Sequence, residues 1–190
     1  FLALGMATAH GRAVAVVTTS GTAVANLLPA AVEADRSCQP LLLLTADRPA
    51  RLKNCGANQT VNQESFLLSA CRWFGGGAAD GVHTQANDAI NALAVQAWQR
   101  AQGVGTGPPG AVHINLPFEE PLHTTLEQQQ QLVSGALQPT ACSEPSPEIG
   151  PVPRLDPERP GVVIAGPWRG LSPAAVVFQQ ALHRWLNLSG

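Results

Sequence analysis

Hydrophobic and polar positions along the chain fall into two periods. Leu2, Met6 and the alanines around them recur every 3.6 residues, which predicts a helix over residues 1–10 with Gly11 as its stop. Ala13-Val14-Ala15-Val16-Val17-Thr18 is a short run rich in β-branched residues, the pattern of a strand buried on both faces as in parallel sheets. Thr19-Ser20-Gly21-Thr22 breaks that run, and Ala23 to Glu33 then reads as a helix kinked at Pro29. Pro40-Leu41-Leu42-Leu43-Leu44-Thr45-Ala46 is a second buried strand. Strand, helix and strand within about 35 residues make a βαβ unit with a right-handed crossover.

Residues 47–65 lack apolar periodicity and read as a long polar loop, a place where function concentrates. Trp73-Phe74 beside Gly75-Gly76-Gly77 reads as a packing anchor next to a flexible loop. Asp88 to Gln102 reads as a helix with Ile90, Leu93, Ala94, Ala97, Trp98 and Ala101 on one face. After a Gly/Pro loop, Ala111 to Pro117 is a third strand, with Val112, Ile114 and Leu116 in phase. From Thr124 to Pro160 the chain turns Gln- and Pro-rich, the composition of an extended, partly polyproline linker. Gly161 to Gly166 then reads as a buried strand and Pro167 to Gly170 as a tight turn. A helix runs from Ser172 to about Leu186, with Phe178 and Trp185 on its core side. The organisation expected is therefore an α/β domain over 1–123, a linker over 124–160, and over 161–190 the first β-α unit of a Rossmann-like central domain.

Composition narrows the function. Apolar residues make up 45% of the 190, enough for a sizeable core, while charged residues are only 13%, against about 25% in an average domain. The net charge of −2 disfavours a nucleic-acid binder or a polybasic membrane-surface protein. No apolar run approaches the ~18–20 residues of a transmembrane span, so the chain is expected to be cytoplasmic. So little charge suggests that part of the surface is covered. The helix-like ends, with no initiator Met, read as a piece of a longer polypeptide. Cys38, Cys55, Cys71 and Cys142 have no CxxC spacing, and the five histidines form no HxH or HxxxH pair, so no metal site is expected from this segment.

In a parallel sheet all strands deliver their carboxyl ends to one edge, and ligands bind outside it. Ser20-Gly21-Thr22 and Thr45-Ala46-Asp47-Arg48-Pro49 follow the first two strands and face that crevice. Free N–H groups of a helix-opening turn suit an anion or the edge of a polar heterocycle, although an ordinary cap-plus-glycine turn has the same sequence. Arg48 at a strand end suits a carboxylate bound at two points, or an ion pair with Asp47 or a Glu. Asn58 and Gln59 offer uncharged donors and acceptors to a carboxylate or hydroxyl, or bond within their own loop, and Asn62 and Gln63 repeat that chemistry. No GxGxxG, GxxxxGK[ST] or GxSxG occurs.

Three segments carry a resemblance. Thr19-Ser20-Gly21-Thr22-Ala23-Val24-Ala25-Asn26-Leu27 resembles the first strand–helix turn of the pyrimidine-binding domain of thiamine-diphosphate enzymes. Leu44-Thr45-Ala46-Asp47-Arg48-Pro49 with Cys55-Gly56-Ala57-Asn58-Gln59 narrows the likeness, as does His113-Ile114-Asn115-Leu116-Pro117-Phe118-Glu119-Glu120-Pro121-Leu122. Together they look like the branch of menaquinone and phylloquinone biosynthesis that joins a succinyl unit from 2-oxoglutarate to isochorismate. The resemblance covers residues 1–123 well and implies a three-layer α/β/α fold on a parallel sheet, lacking its N-terminal part. It implies thiamine diphosphate and Mg2+ as cofactors of a homodimeric or homotetrameric parent. Arg48, Asn58 and Gln59 would bind the isochorismate-derived part, Gln59 would assist proton handling, and Ser20, Gly21 and Thr22 would lie beside the aminopyrimidine. The Glu that activates the cofactor in this family would lie just ahead of Phe1, and the GDG motif for diphosphate and metal does not occur, so this segment alone is expected to be inactive. An acetolactate synthase or 2-oxoacid decarboxylase shares the first turn, and a non-catalytic α/β interaction module shares the fold. The Asp-Arg-Pro and Gly-Ala-Asn-Gln pairing argues against the first of these.

Overall fold

The computed structural model describes residues 1–105, 107–134, 151, 156, 159–166 and 172–188. The chain divides into two compact units, Phe1–Pro139 and Thr140–Gly190.

The first unit is built on four parallel strands, β1 (Val14–Thr18), β2 (Leu41–Asp47), β3 (Trp73–Gly76) and β4 (Ala111–Pro117), in the order β1-β2-β4-β3. α1 (Leu2–His10) precedes β1 and ends at Gly11 in the left-handed conformation, as its sequence predicts. α2 (Thr22–Ala25) and α3 (Leu28–Ser37) cross from β1 to β2, and α4 (Asn87–Gln102) crosses from β3 to β4. In β2, Leu41 and Leu43 enter one core with Ala7, Val24, Ala31, Ala34 and Leu67; Leu42 and Leu44 enter the other with Ala97, Ala101, Val112 and Ile114. Alternation along β2 therefore feeds two helical layers, which is the expected three-layer α/β/α arrangement. Leu41, Leu43 and Leu67 are fully buried, each contributing about 1.5–3 kcal/mol.

Several elements differ from the sequence reading. β1 is an edge strand and not one buried on both faces: Val17 is 76% exposed. The single kinked helix is two helices, because Pro29 sits in the first turn of α3, where its missing N–H leaves no intrahelical bond unmade. Trp73-Phe74-Gly75-Gly76 is a strand, β3, paired in register with Val112 to Asn115. Gly75 makes it possible, since a Cβ there would fall onto the Trp73 ring and within 2.9 Å of Leu93 Cδ1. The segment read as an extended linker begins with a helix, α5 (Leu126–Ser134). Its Pro-rich stretch between 135 and 150 lies outside the described residues, as does the turn read at 167–170.

In the second unit, residues 161–166 form no strand, and Val162 and Ile164 are almost fully exposed. A β-branched run becomes a strand only against a partner strand, and none exists among the described residues of that unit. α6 (Ser172–Leu188) forms where expected, but Phe178 is 47% and Trp185 42% exposed, so neither is a core residue here. None of the described helices is long and apolar enough to cross a membrane.

Candidate functional site

The polar chemistry of the sheet lies on one face at its carboxyl edge. β2 runs Leu41, Leu43, Thr45, Asp47 along the face that packs on α1 and α3, and β4 runs Ala111, His113, Asn115 along the same face. Both strands change from apolar to polar at the same level, because Thr45 pairs in register with Asn115. All four polar side chains are buried.

They form one hydrogen-bonded chain. Asp47 anchors it: Oδ2 pairs with Lys53 Nζ at 2.8 Å and accepts from Asn115 Nδ2 at 2.8 Å, while Oδ1 accepts from the Arg48 backbone N–H at 2.8 Å. Lys53 also pairs with Glu64. Burial works against the Lys53 charge, but its bonds to Asp47 and Glu64 outweigh that and raise its pKa. The carboxylate fixes the Asn115 amide, which turns Oδ1 toward Thr45 Oγ1 at 3.1 Å and Gln63 Nε2 at 2.7 Å. Thr45 has one hydroxyl proton and gives it to Asn115, so the His113 Nε2–H donates to Thr45 Oγ1 at 2.8 Å. Nδ1 of His113, with no partner among the described residues, keeps its bare lone pair. Burial pushes the His113 pKa down to about 4, against a partial pull upward from Glu64 and Asp47. His113 is therefore neutral near pH 7, with Phe74 set edge-to-face on its ring at 5.3 Å.

Gln63 carries this chain across to the first strand–helix turn. Its Oε1 accepts the Gly21 N–H at 2.8 Å, and Nε2 donates to Ala46 O at 2.9 Å as well as to Asn115. Ser20 and Gly21 are buried and Thr22 is exposed at the start of α2. Gly21 has φ 79°, and a Cβ there would stand 3.3 Å from Gln59 O, so a side chain at that point is strained by the backbone and crowds Gln59. The hydroxyls of Ser20 and of Thr18 are buried without a protein partner among the described residues.

The structure thus brings Ser20, Gly21 and Gln59 together. Gln59 and Asn58 are exposed on the loop, and Gln59 holds the left-handed conformation at φ 58°, which costs a residue with a Cβ roughly 1–2 kcal/mol. Arg48 is half-buried at the end of β2, and its guanidinium has no hydrogen-bond or ion-pair partner among the described residues; the pairing with Asp47 runs through its backbone instead. Arg51, three residues on, pairs with Glu119 across the loop and holds that carboxyl below its usual pKa. A polar cavity of about 300 Å³ lies beside the loop, lined by Lys53, Asn54, Gly56, Thr60, Val61, Asn62 and Glu64.

Sequence reasoning named Asn62 and Gln63 only as repeats of Asn58 and Gln59; it placed Thr45 in the segment facing the crevice and His113 and Asn115 in a segment carrying the resemblance, but gave none of the three a role. A signal for the strand residues existed: polar residues fall two apart in β2 (Thr45, Asp47) and in β4 (His113, Asn115), in phase with buried residues. No local signal separates the buried Gln63 from the exposed Gln59. No group of three or more His, Cys, Asp or Glu suited to a metal occurs among the described residues, so none is assigned to Mg2+.

Comparison with known proteins agrees with this architecture. Residues 1–66 match the family described as thiamine pyrophosphate enzyme, N-terminal TPP binding domain. The whole chain is 86% identical over 190 residues to the 2-succinyl-5-enolpyruvyl-6-hydroxy-3-cyclohexene-1-carboxylate synthase of Synechococcus sp. strain CC9605, of which it covers 34%. It is 64% identical over 191 residues to the synthase of the same name from Parasynechococcus marenigrum strain WH8102, also 34% covered. It is 60% identical over 196 residues to that of Synechococcus sp. strain CC9902, with 34% covered. The chain spans about a third of the length of these curated relatives. A parallel α/β sheet, a glycine turn at the end of its first strand and the match over residues 1–66 thus make this part of the chain similar to the N-terminal TPP binding domain of thiamine pyrophosphate enzymes, and the whole chain is similar to about a third of the length of synthases of one name.

Proposed function

We propose that this chain is part of a thiamine-diphosphate-dependent transferase that decarboxylates 2-oxoglutarate and adds the succinyl unit to isochorismate, giving 2-succinyl-5-enolpyruvyl-6-hydroxy-3-cyclohexene-1-carboxylate. The observation that carries the reading is the 86% identity over the whole chain to a synthase of that name. Residues 1–123 are read as most of the pyrimidine-binding domain, 124–160 as the link, and 161–190 as the opening of the next domain.

Thiamine diphosphate supplies, when bound, the electron sink for decarboxylation and carbon–carbon bond formation. Ser20, Gly21 and Thr22 would hold its aminopyrimidine end. Two observations support the fit: the Ser20 hydroxyl is buried without a protein partner among the described residues, and a side chain at Gly21 would be strained and crowd Gln59. Arg48, with its uncommitted guanidinium, binds a substrate carboxylate in this reading, and Asn58 and Gln59 bind the isochorismate ring substituents. Gln59, beside Gly21, also assists a proton at the reacting end. Mg2+ and the diphosphate are assigned to the part of the parent outside this chain. A cytoplasmic homodimer or homotetramer completes the reading.

The test is turnover of the full-length protein that contains this chain. Isochorismate plus 2-oxoglutarate, with thiamine diphosphate and Mg2+, should give the succinylated product by mass spectrometry. Turnover of pyruvate alone, without that product, would refute the assignment. The isolated chain is expected not to bind thiamine diphosphate with Mg2+ at micromolar concentration in a calorimetric titration.

A further inference from the structure

We propose that Gln63 is a positioning residue: its buried carboxamide clamps the Gly21 amide to the polar ends of β2 and β4, and so sets the place of the Ser20–Thr22 turn and of Gln59 packed on it. The inference rests on the reading that this turn meets the cofactor.

Gln63 comes from a short 3₁₀ turn in the middle of the polar loop, and its side chain is fully buried. Its three bonds reach three separate places: the β1–α2 turn, the Ala46 carbonyl of β2 and the Asn115 side chain of β4. Both Nε2 protons are used, and Oε1 serves the Gly21 N–H. That polarity is imposed. The Asp47 carboxylate takes the Asn115 Nδ2–H, which leaves Asn115 Oδ1 facing Gln63 and able only to accept. Two acceptors on one side and a donor on the other admit a carboxamide and nothing simpler. A carboxylate would accept from Gly21 but face two oxygens, a thioether would make none of the bonds, and an asparagine is a methylene too short. Gln59, whose carbonyl would lie 3.3 Å from a Cβ on Gly21, packs against the turn that the clamp holds. The Lys53–Asp47 pair thus orients the turn through two amides, without itself touching it.

Two measurements on the full-length protein test this. The first is hydrogen exchange at the Gly21 amide, without cofactor. It should be protected to the degree of β2 amides although it lies in a turn; exchange as fast as in the exposed loop around Asn58 would overturn the clamp. The second compares Q63E and Q63M with the parent. In Q63E the thiamine diphosphate KM should rise about tenfold at about pH 8, with a smaller loss in kcat. It should recover toward the parent value as pH falls, because burial against two oxygens raises the carboxyl pKa and its protonated form restores one donor. Q63M should show the defect without recovery. Unchanged KM in both variants, or equal defects at every pH, would overturn the positioning role. If a variant does not fold, the exchange measurement on the parent decides. A parent with no thiamine-diphosphate-dependent turnover would refute the proposed function instead, which the exchange result does not depend on.

Discussion

Acid should weaken this fold through His113 before most carboxylates titrate. The imidazole, on β4, is fully buried and neutral, with Nε2–H bonded to Thr45 of β2 and no acceptor for a proton at Nδ1 among the described residues. Its pKa is pushed down from 6.5 to about 4 by burial. The unfolded chain takes up this proton near pH 6.5 and the folded chain only near 4. The contribution is therefore complete above pH 6.5 and lost as pH falls toward 4. At about 1.36 kcal/mol per pKa unit, the displacement is worth roughly 3 kcal/mol, a large fraction of a stability of 5–15 kcal/mol. The assay is urea unfolding followed by far-UV circular dichroism at several pH values across that window, on the parent chain and on H113F. Phenylalanine keeps a planar ring for Phe74 and leaves Thr45 its bond to Asn115. H113F should be less stable at pH 7, and the gap should close by up to about 1.4 kcal/mol per pH unit as the parent loses its advantage. The carboxylates shared by both chains cancel in that difference. Parallel stability curves for the two proteins would refute the argument.

Three further outcomes are expected. L43A removes a fully buried side chain from the α1/α3 core and should cost about 2–5 kcal/mol, read as a lower urea midpoint with an unchanged slope. G21A places a Cβ at φ 79° and 3.3 Å from Gln59 O; it should cost about 1–3 kcal/mol in the same assay and raise the thiamine diphosphate KM of the full-length protein. R48A should leave the urea midpoint close to the parent value, since the guanidinium has no partner among the described residues. On the proposed function, it should raise the isochorismate KM of the full-length protein about 10–100-fold, the range of a lost charge-assisted bond.

The sequence by itself determined the scaffold of the first unit. β2 is a continuous apolar run, β4 keeps apolar residues in phase, α4 carries one apolar face over its length, and Gly11 fixed where α1 stops. The place of Ser20–Thr22 and Arg48 at the carboxyl edge was legible because a parallel sheet sends the ends of its strands to one edge whatever its detailed packing. Tertiary structure decided the rest. β3 exists only because β4 offers it a backbone to pair with and Gly75 lets Trp73 and Leu93 close over it, so a Trp-Phe-Gly-Gly segment carries no strand signal of its own. Residues 161–166 show the converse, a strong strand pattern without a partner strand among the described residues. Local pattern also could not say that Gln63 is buried and Gln59 exposed, four residues apart in a loop without periodicity. That difference is set by hydrogen bonds to residues 17, 42 and 52 positions away in the chain. A buried amide is stable only where distant donors and acceptors meet it, and those partners come together only when the sheet is assembled.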